Sequence, residues 1–120
     1  MRLISLLFFL FTTLYSQSAL YEKGRELYFE KACNGCHGVK AEGMTNYPSL
    51  ANRAKGFLTF KLKNYRKGIV QTQAQQMMIS FAKPLSDEDI DALTSYLHDF
   101  IDEQKEFYNP SYETWGDGGS

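Results

Sequence analysis

Little in this chain of 120 residues can staple or anchor a fold: it has two cysteines, two histidines, three prolines and one tryptophan. No third cysteine accompanies Cys33 and Cys36, and His98 is the only histidine besides His37. A zinc site would therefore lack a ready fourth ligand and the usual second Cys/His pair. No strand-like run precedes Cys33, which counts against a thioredoxin-type Cys-x-x-Cys in a βαβ unit. A disulfide between thiols three positions apart would close a strained ring that adds little stability. Long hydrophobic runs are also missing. Leu3 to Leu14 covers twelve residues, short of the roughly 20 needed to span a bilayer, and no cysteine sits at its end to carry a lipid. With 43% hydrophobic and 22% charged residues, the chain suits one small globular domain with one core.

What is present begins with Arg2, the apolar run from Leu3 to Leu14, and the small and polar Ser16-Gln17-Ser18-Ala19. This is the order of a secretory signal peptide over residues 1–19, with cleavage expected after Ser18 or Ala19. No stable membrane insertion is expected after cleavage, whereas an uncleaved leader would act as an anchor. Residues 20–107 form the expected domain. Asn109-Pro110 should stop the last helix, and residues 108–120, with three glycines and Trp115, are expected to be a flexible acidic tail.

The stretch that organises the rest is Cys33-Asn34-Gly35-Cys36-His37. Cys-x-x-Cys-His is the spacing at which a c-type haem is attached. Two thiols three residues apart lie on one side of a helical turn, where each can add across one vinyl group of the same porphyrin. The adjacent imidazole can then coordinate iron through Nε2 if its other nitrogen donates to a backbone carbonyl. Redox dithiol, zinc and disulfide readings remain the alternatives.

The flanking segments read as helices. In Leu20 to Ala32, Leu20, Gly24, Leu27 and Lys31 share one face, opposite Glu22, Glu26 and Glu30. Glycine within a helix costs about 1 kcal/mol relative to alanine, so Gly24 is expected to mark a close approach of the final helix, touched by Leu27 or Tyr28. Gly38 to Leu50 carries Gly43, Asn46 and Pro48 and is expected to be a loop, long enough for the Pro48 carbonyl to reach the second nitrogen of His37. Phe57 to Arg66 places Leu58, Leu62 and Tyr65 on one stripe and ends near Gly68. The stretch Gln71 to Phe81 holds Met77 and Met78, and a thioether there could fill the sixth position on iron. Leu85 to about Phe107 is the clearest helix: Ser86 and Asp89 form a capping box, three acids occupy the first turn, and Ile90, Leu93, Leu97, Phe100 and Ile101 follow at helical steps. His98 lies off that stripe and is expected to be solvated.

Taken together, Gly24, Cys33-x-x-Cys36-His37-Gly38, Pro48-x-Leu50, Met78, Pro84-Leu85-Ser86-Asp87-Glu88-Asp89-Ile90 and Tyr96-Leu97 resemble a small bacterial class I cytochrome c, over roughly residues 20 to 100. The resemblance implies an all-α cytochrome c fold, three to five helices around one covalently attached haem. It also implies His/Met ligation and one-electron transfer in the periplasm. By position, His37 matches the proximal ligand, Pro48 the carbonyl that orients it, and Met78 the distal ligand, seven residues before the leucine of Leu-Ser-Asp. Met77 is its adjacent rival.

Charge is divided along the chain. Tyr21 to Leu85 carries eleven bases and four acids, a net +7, whereas Ser86 onward carries one base and ten acids, a net −9. Arg53, Lys55, Lys61, Lys63, Arg66 and Lys67 fall in a stretch with no acid between Gly43 and Ser86. That is either a solvated helix face or a patch that steers an acidic redox protein. Nucleic acid does not fit export and the overall negative charge. The expected role is an electron carrier, not an enzyme, working as a monomer between redox proteins. The alternatives are a haem subunit fixed in a dehydrogenase or oxidase complex and a peroxidase or sensor with an open sixth site.

Overall fold

The computed structural model describes residues 2–103, with backbone alone for residues 2, 3 and 5–14. Among the described residues five helices follow one another: α1 (Arg2–Glu30), α2 (Asn34–His37), α3 (Lys55–Arg66), α4 (Gln76–Ala82), entered through a 3₁₀ turn at Gln73–Gln75, and α5 (Asp87–His98). Among the described residues there is no strand, only an isolated bridge between Met44 and Tyr47. The all-α expectation holds.

The helix α5 starts where its sequence dictates. The Ser86 hydroxyl accepts from the Asp89 amide at 3.0 Å while the Asp89 carboxylate accepts from the Ser86 amide at 3.1 Å. This capping box satisfies two amides that a helix start otherwise leaves open. Ile90, Leu93, Tyr96 and Leu97 then bury one face. The helix ends at His98, earlier than the expected Phe107, because a distant residue takes its last carbonyls. The Asn52 amide donates to Leu97 O at 2.7 Å, and the Asn52 side chain to His98 O and Phe100 O at 3.2 and 2.9 Å. Acids follow at Asp99 and Asp102, the unfavourable sign for a helix C-terminus. Ile101, placed by its spacing on the buried stripe, is 60% exposed. His98 is exposed as expected, although its Nδ1 lies 2.8 Å from Arg53 O. The expected continuation to Phe107, the tail 108–120 and Trp115 lie outside the described residues.

The helix α1 runs without a break through the expected helix start at Leu20 and ends at Glu30, two residues before the expected Ala32. Ala32 takes a positive φ of 59°, which a right-handed helix does not admit. α1 and α5 cross at Gly24. A methyl group added there would collide with the Ala92 carbonyl oxygen and lie 2.6 Å from Tyr96 Cβ, so only glycine permits this approach. Tyr28 and Leu27 are buried beside it, and Tyr96 meets Tyr21, Tyr28 and Phe100 at ring separations of 5.1, 5.6 and 5.8 Å. Such edge and tilted pairs add to the area that they bury.

On the other side of the core, α3 turns Leu58 inward, with Leu62 and Tyr65 packed against the core. Its end is a Schellman turn: Gly68 at φ 78° donates to Tyr65 O, and Ile69 to Asn64 O, which is why glycine stands there. Two ion pairs fasten α3 to α5, Lys55 with Asp91 at 2.5 Å and Arg66 with Asp87 at 2.6 Å.

Candidate functional site

The segment Cys33 to His37 is one helical turn, closed by His37 N donating to Cys33 O at 2.9 Å. It hangs from the end of α1. Its exit is fixed by two bonds from either side of the loop: the buried Tyr28 hydroxyl donates to Gly38 O at 2.6 Å, and Gly43 N donates to His37 O at 2.7 Å. Gly38 itself sits at φ 91°, a conformation that favours glycine. Burial pushes the Tyr28 hydroxyl well above its ordinary range, so it stays protonated and keeps donating.

The His37 ring is 7% exposed, and its Nδ1 lies 2.9 Å from Pro48 O. With that nitrogen donating to a carbonyl, Nε2 carries the lone pair, the arrangement that makes imidazole a metal ligand. Tyr47 meets the ring edge-on at 6.4 Å. Pro48 is exposed and contributes only its carbonyl.

An apolar cleft opens beside this ring. Cys33, His37 and Met78 all line it, among Leu50, Leu62 and Leu93. Met77, the adjacent rival, is 56% exposed and is not part of the lining. Cys36 is half-buried and stands outside the lining. Burial raises the Cys33 thiol to about 11, the opposite of the depressed thiol of a redox dithiol.

The geometry lends the rival readings of the motif no support. Among the described residues there is no strand to support a thioredoxin-type dithiol, and no three His, Cys, Asp or Glu side chains converge to hold a metal ion. Cys33 and Cys36 are not joined. Two residues at the site escaped the sequence reading in these roles: Tyr28 as the donor to Gly38, and Phe81 as part of the cleft wall. A buried tyrosine needs a partner for its hydroxyl, and Tyr28, five residues before Cys33, was close enough in sequence to suggest the motif loop.

An apolar cleft, a tautomer-fixed imidazole, a thioether on the same cleft and two thiols in Cys-x-x-Cys-His spacing fit a covalently attached porphyrin and define a c-type haem protein. The comparisons agree. Residues 21–100 match the family model for cytochrome c. Cytochrome c4 of Azotobacter vinelandii is 33% identical over 81 residues, 65% of this chain and 39% of that protein. Cytochrome c-554(548) of Halomonas halodenitrificans is 34% identical over 65 residues, 53% of this chain and 78% of that protein. The chain thus spans well under half the length of the first of these relatives. It belongs to the cytochrome c family, whose members carry haem c bound covalently.

Proposed function

We propose that this protein is a periplasmic one-electron carrier with a single haem c, bonded through the sulfurs of Cys33 and Cys36 and ligated by His37 and Met78. Residues 1–19 direct its export, residues 20–107 form the haem domain, and it shuttles as a monomer between respiratory redox proteins. The observation that carries this reading is that His37 and Met78 line one cleft while Met77 points outside it. When bound, haem c supplies the reversible uptake of one electron.

The chain's own residues set the conditions for that uptake. The Pro48 carbonyl holds the His37 ring in one tautomer and plane, and Tyr28 and Gly43 hold the loop that carries it. Leu50, Leu62, Leu93 and Leu97 on the cleft wall exclude water. Burial of this kind disfavours extra positive charge on the oxidised centre, and a thioether ligand raises the potential relative to a second imidazole.

Replacing Met78 by Ala should abolish the weak far-red absorption that iron–thioether bonding gives the oxidised protein and should lower the potential. Met77→Ala should leave both in place. A Met78→Ala spectrum identical to wild type would contradict the ligand assignment, and rapid binding of carbon monoxide by the wild-type protein would point to an open sixth site instead.

A further inference from the structure

The two sides of α3 differ sharply. One side packs Leu58, Leu62 and Tyr65 against the core. The other, at helical steps of three and four, carries Phe57, Phe60, Lys61 and Lys67, with Lys63 at its margin. Phe57 is 46% exposed and Phe60 60% exposed. A single exposed apolar residue is ordinary, but two phenyl rings on one helix face, ringed by cations, have the aromatic-centred composition of an interface. The Arg53 guanidinium and the Lys61 ammonium lie 6.0 and 5.8 Å from the centre of the Phe57 ring, within reach of its electron-rich face.

The cations of this segment divide into two groups. Lys55 and Arg66 are engaged with Asp91 and Asp87 of α5. Lys61, Lys63 and Lys67 have no carboxylate within ion-pair distance among the described residues. The charge of Lys61 and Lys67 is therefore left to act on a partner, while Lys63 also acts at longer range on the Asp87 carboxylate. Leu62 of the same helix lines the cleft with His37 and Met78, so whatever sits on the outer face is separated from the cleft by the width of one helix, about 10 Å.

We propose that the outer face of α3, centred on Phe57 and Phe60 and bordered by Arg53, Lys61, Lys63 and Lys67, docks an acidic redox protein. This rests on the electron-carrier reading above and adds where, and to what kind of surface, the partner binds. Weak redox encounters need only small interfaces, with charge steering the approach to an apolar centre. Two phenyl rings offer too little apolar area for stable insertion into a bilayer surface.

The test follows reduction of the oxidised holoprotein by reduced flavodoxin, an acidic one-electron donor, by stopped-flow absorbance at low and high salt. Lys61→Gln/Lys63→Gln/Lys67→Gln should slow the second-order rate at low salt about tenfold and flatten its salt dependence. The charge-matched Lys23→Gln/Arg25→Gln/Lys83→Gln should change the rate less than about twofold, since steering depends on where the charges lie. Phe57→Ser/Phe60→Ser should slow reduction while leaving the salt dependence intact. Equal slowing by the two charge triples, or wild-type rates in the α3 triple, would overturn the proposal. So would α3-dependent sedimentation with phosphatidylglycerol vesicles accompanied by unchanged flavodoxin rates, which would assign the face to a membrane. Dithionite, which needs no docking, separates the two levels: normal reduction by dithionite with flavodoxin rates insensitive to the α3 variants sinks the docking face alone. A haem that dithionite cannot reduce sinks the carrier reading and the docking face with it.

Discussion

Where α1 crosses α5, protein atoms meet protein atoms: Gly24 lies against the Ala92 carbonyl, Tyr28, Ile90 and Thr94 are fully buried, and a chain of aromatic rings links the two helices. Across the cleft, α3 and α4 present a different picture. Phe57, Phe60, Met77 and Phe81 are exposed, and α4 buries only Ala82. The first region is closed by its own sequence. On the proposed function, the second takes its inner packing from the haem in the cleft, and it keeps a charged apolar face turned outward. A small domain can afford this division because a covalent porphyrin gives the second region the apolar plate that the chain does not provide.

Substitutions at matched positions sharpen the contrast. Gly24→Ala forces a methyl group onto backbone, which cannot move aside as a side chain would. The loss should be about 3 kcal/mol or more, at the upper end for overpacking, measured by chemical denaturation of the holoprotein. Phe60→Ala on the exposed side should stay within about 0.5 kcal/mol. Comparable losses at the two positions would erase the distinction between the regions.

A smaller difference is expected between two tyrosines. Tyr28→Phe leaves the Gly38 carbonyl without its donor and should cost about 1–2 kcal/mol. Tyr65→Phe on α3 removes no hydrogen bond recorded among the described residues and should cost less than about 0.5 kcal/mol. Denaturant midpoints of the two variants check this, and a larger loss at Tyr65 would reverse the ranking.

The smallest effect concerns the α5 start. Ser86→Ala should cost about 1 kcal/mol. Asp89 is held below its ordinary 3.8 chiefly by the Ser86 backbone amide, with burial opposing, and the Arg66 guanidinium holds Asp87 below it in the same way. Because the folded values lie under the unfolded ones, this stabilisation is fully present above the unfolded carboxylate range and fades as pH falls below about 4. Asp89→Asn should therefore flatten the acid limb of a stability–pH curve. An acid limb as steep as wild type would show that the box contributes no pH dependence.

The same division explains what could be read from residues alone. The start of α5 was legible because capping, charge and apolar period agree at Ser86 to Leu93, and the crossing at Gly24 because a glycine inside a helix asks for a neighbouring backbone. The end of α5 was not, since the residue that ends it is Asn52, 45 positions before Leu97. A contact at that separation leaves no local periodicity to read. At the site, spacing singled out Cys33, Cys36 and His37, and loop length brought Pro48 within range. Sequence could not separate Met77 from Met78 by chemistry, because adjacent methionines differ only in which way the helix turns them. The structure turns Met78 to the cleft.

The most direct measurement is the intact mass, after denaturation and acid extraction, of the protein matured in a periplasm with haem-attachment machinery. The account predicts the polypeptide plus one haem, with the added mass lost when Cys33 and Cys36 are both replaced by Ala. A mass equal to the polypeptide alone would contradict it.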